Sequence, residues 1–274
     1  MGILDVNIVK AFIRTCADGW YQGWHERNGG NLSYRLTKEE INECREYFSP
    51  REWQDLKITA KEMAGEYFLV TGSGRFMRNV PLKPEENICI VEINTKGDMY
   101  RIVWGLTAGG NPTSELPTHI MNHNAKALAG RECRVIYHAH TPSLIALTFV
   151  LPLTDRDFTR ALWTSATECP VVFPEGVGVV EWMVPGGAEI AYATSKLMYK
   201  YDAVVWAHHG LFCAGPDLDT TFGLMHTIEK AADIYVCALS CGRGIRQTIP
   251  DDGLKAIAKD FGVNLAEEFL NEVE

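Results

Sequence analysis

His138 and His140 stand either side of Ala139 at the end of an apolar, β-branched and aromatic run, Arg134-Val-Ile-Tyr-His-Ala-His140. That composition reads as a strand. Side chains on a strand alternate faces, so Ile136, His138 and His140 share one side and Val135, Tyr137 and Ala139 the other. Two imidazoles then project together where Thr141-Pro142 ends the strand, a spacing that lets both reach one metal ion. A second strand-to-turn junction, Val204-Val-Trp-Ala-His-His-Gly210, offers His208 and His209 as the third ligand. Three neutral histidines with an open fourth position form the pattern of a catalytic zinc site. Neither junction carries a thiolate, so a structural cysteine site does not fit.

Glu115, His119 and His123 recur at intervals of four and share one helical face. The two histidines have the spacing of a zincin helix, but Ile120 stands where a zincin carries its general-base glutamate, so the protease reading fails. His119, His123, His25 and His226 are assigned structural or surface roles. Glu115 opens a helix that Ser114 would cap and Pro117 would pre-organise. A carboxylate there also complements the helix dipole. Gly72-Ser-Gly74, with Arg75 beside it, is a turn whose N–H groups could cradle an anion.

Those residues need elements to hold them. Val6, Val9, Phe12, Ile13, Cys16 and Trp20 recur at helical spacing, predicting an amphipathic opening helix of about four turns. Residues 37 to 64 are highly charged and weakly periodic, a surface insertion or small subdomain with one or two short helices. Short apolar runs then read as strands at Tyr67 to Val70, Ile88 to Ile93, Tyr100 to Trp104, Val135 to His140, Pro170 to Phe173, Val177 to Met183 and Ala203 to Ala207. Helical patterns lie at Ser114 to Leu128, Ser143 to Leu151, Ala188 to Tyr199, Leu218 to Cys241 and Asp251 to Phe261. Together they predict one α/β domain over residues 1–274, helices covering a mixed or largely antiparallel sheet.

The 274 residues are 46% hydrophobic, enough for a core without disulfides. Eight cysteines without a CxxC pair, mostly inside apolar runs, are read as buried reduced thiols. A formal charge of −9 with scattered Lys and Arg argues against nucleic acid or an anionic membrane as partner. The chain opens without a secretory signal, and no apolar run approaches the ~20 residues of a membrane helix, which predicts a cytoplasmic protein.

The ordered segments Glu26-Arg-Asn-Gly-Gly-Asn-Leu32, Val70-Thr-Gly-Ser-Gly74, Trp104-Gly-Leu106, Pro112-Thr-Ser-Glu-Leu-Pro117, His138-Ala-His140, Thr167-Glu168, Val171-Val-Phe-Pro174, Trp182-Met-Val-Pro-Gly186 and His209-Gly210 carry a resemblance. Over nearly its whole length the chain resembles the class II aldolases of the fuculose-phosphate aldolase and ribulose-phosphate epimerase superfamily. The resemblance implies a three-layer α/β/α fold with a mostly antiparallel sheet and a homotetramer with active sites at subunit interfaces. It implies one zinc per subunit on His138, His140 and His209, choosing His209 over His208.

The implied reaction is retro-aldol cleavage of a sugar phosphate. Zinc would stabilise the charge developing on the dihydroxyacetone phosphate half, with Glu115 moving the proton beside it. No lysine in the sequence is read as a Schiff-base group. Glu168 would act on the aldehyde half from a neighbouring subunit. Asn28, Asn31, Ser73, Gly74 and Ser114 would hold the phosphate, giving an acidic protein a local anion pocket. Alternatives are fuculose-phosphate aldolase or a pentulose-phosphate 4-epimerase, which are shorter and lack the 37–64 excursion. A non-enzymatic scaffold like the adducin head domain would lack the histidines present here, and a zinc hydrolase lacks a second metal cluster or nucleophile.

Overall fold

The computed structural model describes residues 2–270. These fold around a nine-stranded sheet in the order β2-β5-β4-β3-β1-β6-β9-β8-β7, antiparallel throughout except for the outer β7·β8 pair. The strands are β1 (Asn31–Arg35), β2 (Gln54–Asp55), β3 (Tyr67–Thr71), β4 (Ile88–Ile93), β5 (Met99–Gly105), β6 (Val135–Ala139), β7 (Gly178–Val180), β8 (Ala203–Trp206) and β9 (Gly210–Gly215). The helices begin with α1 (Asn7–Tyr21), α2 (Lys38–Cys44), α3 (Pro84–Asn87), α4 (Leu116–Leu128) and α5 (Pro142–Leu147). They continue with α6 (Asp155–Trp163), α7 (Cys169–Val172), α8 (Ala188–Met198), α9 (Leu218–Ser240) and α10 (Asp251–Phe261).

Strand alternation sorts the sheet's side chains into two cores. Leu32, Leu69, Ile90, Val135, Tyr137, Ala139 and Leu211 pack with α1, α5, α6 and α9 on one face. Phe68, Val70 and Val91 meet Leu116 and Ile120 of α4 on the other, where Ile136 and Phe212 meet Ile190 and Met198 of α8. The result is the expected three-layer α/β/α arrangement. No helix among the described residues is long and apolar enough to cross a membrane.

Several local expectations change. Pro170 to Val172 is helical, not extended, because Pro170 seats the first turn of α7 after Glu168, and Phe173 follows as its C-cap. Trp20 is exposed at the end of α1, whereas Val9, Phe12 and Cys16 are buried. Cys237 and Cys241 are exposed, unlike the other six thiols, because the buried face of α9 ends at Ala232. The 37–64 segment contributes α2, two single 3₁₀ turns and β2, which pairs with edge strand β5.

Two glycines let the loop before β1 approach the site. A Cβ on Gly29 would lie 2.8 Å from the His140 ring, and Gly30, at φ +70°, would bring one within 2.4 Å of His25. His25 closes this loop from beneath, bonding Gly29 O at 3.0 Å and the buried Tyr137 hydroxyl at 2.7 Å.

Candidate metal centre and active site

Strand β6 and the hairpin turn between β8 and β9 bring three imidazoles together. One nitrogen each of His138, His140 and His209 lies within 4.8 Å of the others. His138 donates through Nδ1 to Leu211 O at 3.1 Å, leaving Nε2 with its lone pair toward the group. His140 likewise uses Nδ1 on Glu26 Oε1 at 2.6 Å. His138 Nε2 and His209 Nε2 are 3.4 Å apart. Zn–N bonds of about 2.1 Å at tetrahedral angles place neighbouring nitrogens about 3.4 Å apart, so the donor set fits a zinc-type ion.

Burial favours the neutral form of two of the three rings, as coordination would require: it holds His138 well below the usual imidazole range and lowers His209 to about 4. His208 turns away. Its Nδ1 meets Thr148 Oγ1 at 3.1 Å and its ring packs on Phe149, outside the group.

Glu115 lies beside the metal group, Oε2 standing 3.7 Å from His138 Nε2. It occupies the N-cap position of α4 itself; Ser114 makes no capping bond, and Thr113 Oγ1 accepts the Glu115 N–H at 3.2 Å. Pro117 sits in the first turn. Burial raises the Glu115 pKa, and the bond from Asn31 Nδ2 at 2.8 Å opposes that rise.

The glycine turn joins the same region through backbone pairing. Gly72 bridges Pro112, Ser73 N donates to Asn111 O at 2.9 Å, and Thr113 N donates to Thr71 O at 2.9 Å. Thr71 Oγ1 also accepts from Leu32 N at 3.2 Å, tying β1 to the turn. Ser73, Gly74, Ser114 and Asn28 are exposed and open to a ligand, whereas Asn31 is buried. Its amide is engaged at both ends, by Glu115 and by His119. Arg75 is occupied by Gly109 O at 2.7 Å.

Glu168 is not a strand-edge residue; it precedes α7, exposed, and lines a cavity of about 670 Å³ with His226 and Lys230. Within one chain it does not belong to the metal group. Lys126 is a buried lysine that the sequence reading passed over. It bonds Asp202 at 2.5 Å and Tyr201 O at 2.7 Å, some three turns along α4 from Glu115 and remote from the metal group. Two further residues escaped sequence reasoning: Glu26, which holds His140, and Ser33, which touches His119 and His123. Glu26 was visible as the lone acid ahead of the Gly-Gly turn, but nothing in spacing linked it to a histidine 114 positions away.

Residues 10–236 match the family described as Class II Aldolase and Adducin N-terminal domain. The chain is 44% identical over 269 residues to a rhamnulose-1-phosphate aldolase of Listeria monocytogenes serotype 4b, covering 98% of each. It is 46% identical over 271 residues to the enzyme of that name from Pectobacterium atrosepticum, again covering 98% of each. Among solved structures, a sugar-phosphate aldolase from Thermotoga maritima superposes with a TM-score of 0.73 at 28% identity, over 85% of this chain and 95% of that one. An L-fuculose 1-phosphate aldolase shares the fold at a TM-score of 0.61 and 21% identity, over 93% of this chain and 96% of that one. With a family match across most of its length and relatives that it matches nearly end to end, this chain belongs to the class II aldolase family.

Proposed function

We propose that this chain is a zinc-dependent aldolase that cleaves L-rhamnulose 1-phosphate reversibly to dihydroxyacetone phosphate and L-lactaldehyde. The observation that carries the reading is 44–46% identity, over 98% of both chains, to relatives of that name. The three-histidine group with a buried carboxylate beside it supports it independently.

His138, His140 and His209 hold the ion, one per subunit. Zinc supplies a Lewis acid that takes up negative charge developing on the dihydroxyacetone phosphate half. In cleavage, the hydroxyl of the departing aldehyde half loses its proton as the carbon–carbon bond breaks. The bonding pair stays on the dihydroxyacetone phosphate carbon, and Glu115 delivers a proton there. In synthesis Glu115 removes the same proton. Its burial suits both directions, because a raised pKa brings acid and base forms closer in energy near neutrality.

Asn28, Asn31, Ser73, Gly74 and Ser114 hold the phosphate through the asparagine amides, the two serine hydroxyls and the Gly74 N–H. Glu168 takes the hydroxyl proton of the aldehyde half in a neighbouring subunit's site, within a cytoplasmic homotetramer. Exposed Trp182, Val184, Tyr192 and Tyr199 favour self-association. Residues 37–64 form an insertion at the sheet edge, serving no part of the metal group.

The test is release of dihydroxyacetone phosphate from L-rhamnulose 1-phosphate, with L-fuculose 1-phosphate as comparison. Chelation abolishes turnover and zinc restores it. Equal or better turnover of L-fuculose 1-phosphate overturns the substrate assignment, and undiminished turnover by metal-free His140→Ala overturns the mechanism. Native mass measurement of an active monomer removes the shared-site role of Glu168.

A further inference from the structure

Behind Glu115 runs a chain of buried polar groups that the metal mechanism does not use. Asn31 Nδ2 donates to Glu115 Oε2 at 2.8 Å. Asn31 Oδ1 faces His119 Nε2. His119 Nδ1 meets Ser33 Oγ at 2.8 Å, and Ser33 Oγ meets His123 Nε2 at 3.0 Å. Ser33, His119 and His123 are essentially inaccessible to water, and Asn31 nearly so.

Hydrogen-bond chemistry fixes the direction of every link. A carboxylate oxygen can only accept, so the Asn31 amide must turn its NH₂ to Glu115 and its carbonyl to His119. His119 must then carry its proton on Nε2 to donate to that carbonyl. Its Nδ1 is left as an acceptor for the Ser33 hydroxyl, and Ser33 Oγ accepts from His123 Nε2–H. No donor opposes a donor along the chain, and burial keeps both rings neutral, lowering His119 to about 3.

We infer that His119, backed by Ser33 and His123, is a positioning residue that locks the Asn31 amide in the one orientation that aims and holds Glu115 at the metal group. This deepens the aldolase reading and rests on it for the role of Glu115. Asn31 Nδ2 carries a second N–H beside the one given to Glu115, so this role does not take Asn31 out of the phosphate cradle.

The alternative orientation shows why a lock is needed. A flipped Asn31 would set its carbonyl oxygen against Glu115 Oε2, two acceptors facing each other in a buried site. The amide is nearly symmetric in shape, so packing alone does not prevent the flip. The Glu115 carboxylate favours the NH₂ at one end, and the His119 N–H secures the carbonyl at the other. β1 supplies Asn31 and Ser33 from alternate positions on one face, and α4 supplies Glu115, His119 and His123 from one stripe. The two elements therefore meet as facing rows.

The test compares His119→Leu, His119→Gln and Ser33→Ala, each checked for bound zinc and thermal midpoint. His119→Leu lowers kcat about 10- to 100-fold with KM nearly unchanged and zinc retained. His119→Gln, whose Nε2 can still donate to Asn31, recovers most of that loss. Ser33→Ala gives a smaller fall and covers the case in which His119→Leu does not fold. Nitrogen NMR of histidine-labelled wild-type protein finds His119 with its proton on Nε2, with no dependence on turnover.

The Nδ1–H tautomer overturns the inference. So does a rise in KM at constant kcat, which would tie the buried polar chain to substrate binding and not to Glu115, or a loss in His119→Leu that tracks unfolding and is not recovered by Gln. Wild-type protein that cleaves no ketose 1-phosphate sinks the aldolase reading instead, leaving the tautomer result to stand or fall alone.

Discussion

Glu115 Oε2 lies 3.7 Å from Nε2 of His138, so, among the described residues, the one carboxylate buried at the metal group faces one of its nitrogens without bonding it. The contact is too long for a hydrogen bond and leaves Glu115 free to move a proton. Its remaining polar partner through Oε2 is Asn31, which orients the group without taking its charge. Glu115→Gln should therefore keep the fold and the zinc, since a glutamine oxygen can accept the same Asn31 N–H. Turnover should fall about 10²- to 10⁴-fold, the usual worth of a proton-transfer group. Steady-state cleavage rates beside metal content per chain check this; a variant retaining a tenth of wild-type kcat would dismiss Glu115 as the proton carrier.

Glu26 reaches the same centre from outside. Its side chain is 66% exposed, yet Oε1 accepts from His140 Nδ1 at 2.6 Å and so turns Nε2 toward the other two ligands. Removing it should leave stability nearly unchanged, because little is buried. Glu26→Ala should weaken zinc binding about 10- to 100-fold, and Glu26→Gln, which still accepts the N–H, should lose less. Competition against a chromophoric chelator measures both. Equal affinity in wild type and Glu26→Ala would show that packing alone orients His140.

How far the site was legible depended on whether its partners shared one element. His138 and His140 lie on a single strand, so alternation alone paired them. Glu115, His119 and His123 lie on a single helix, and their shared face was equally plain. Their common partner was hidden, because Asn31 and Ser33 belong to β1, whose sequence Asn-Leu-Ser-Tyr-Arg places polar residues on the buried face. The alternation reads as a short strand with its polar side in water, whereas both faces of β1 are covered and the polar one meets α4. β9 was missed for a different reason: it follows β8 after a tight turn, and its apolar run carries glycine at both ends. At Pro170 to Phe173 the β-branched residues pointed to a strand, and proline at the head of a single helical turn overrode them.

Acid should weaken the fold through its buried histidines. Burial lowers His25 from 6.5 to about 4 and His119 from 6.5 to about 3. Over that interval the unfolded chain binds protons that the folded chain refuses, so stability is full above about pH 6.5 and declines as pH falls toward 4. Each such histidine contributes on the order of 3 kcal/mol across the window. Urea midpoints of the metal-free protein should fall steadily between those limits, and His119→Gln should flatten the slope. A midpoint constant from pH 6.5 to 4 would mean that these rings titrate alike in both states.

His208 offers the last test, because it shapes the turn that delivers its neighbour. It adopts φ +58°, a left-handed conformation that costs a non-glycine residue roughly 1–2 kcal/mol. Thr148 Oγ1 secures it twice, accepting from His208 N at 3.1 Å and meeting its Nδ1 at 3.1 Å. His209 N then closes on Trp206 O at 3.1 Å, and the next ring along is aimed at His138. His208 is thus a turn residue beside a member of the three-histidine group. His208→Asn should be tolerated, because asparagine accepts the left-handed region readily. His208→Val should lower stability by roughly 1–2 kcal/mol, because a β-branched side chain resists it. It should weaken zinc binding as well, since the turn must relax and carry His209 with it. Denaturant midpoints and zinc affinity should fall together in His208→Val. If stability drops while zinc affinity holds, the turn and the ligand are uncoupled, and His209 is placed by the packing of β8 and β9 alone.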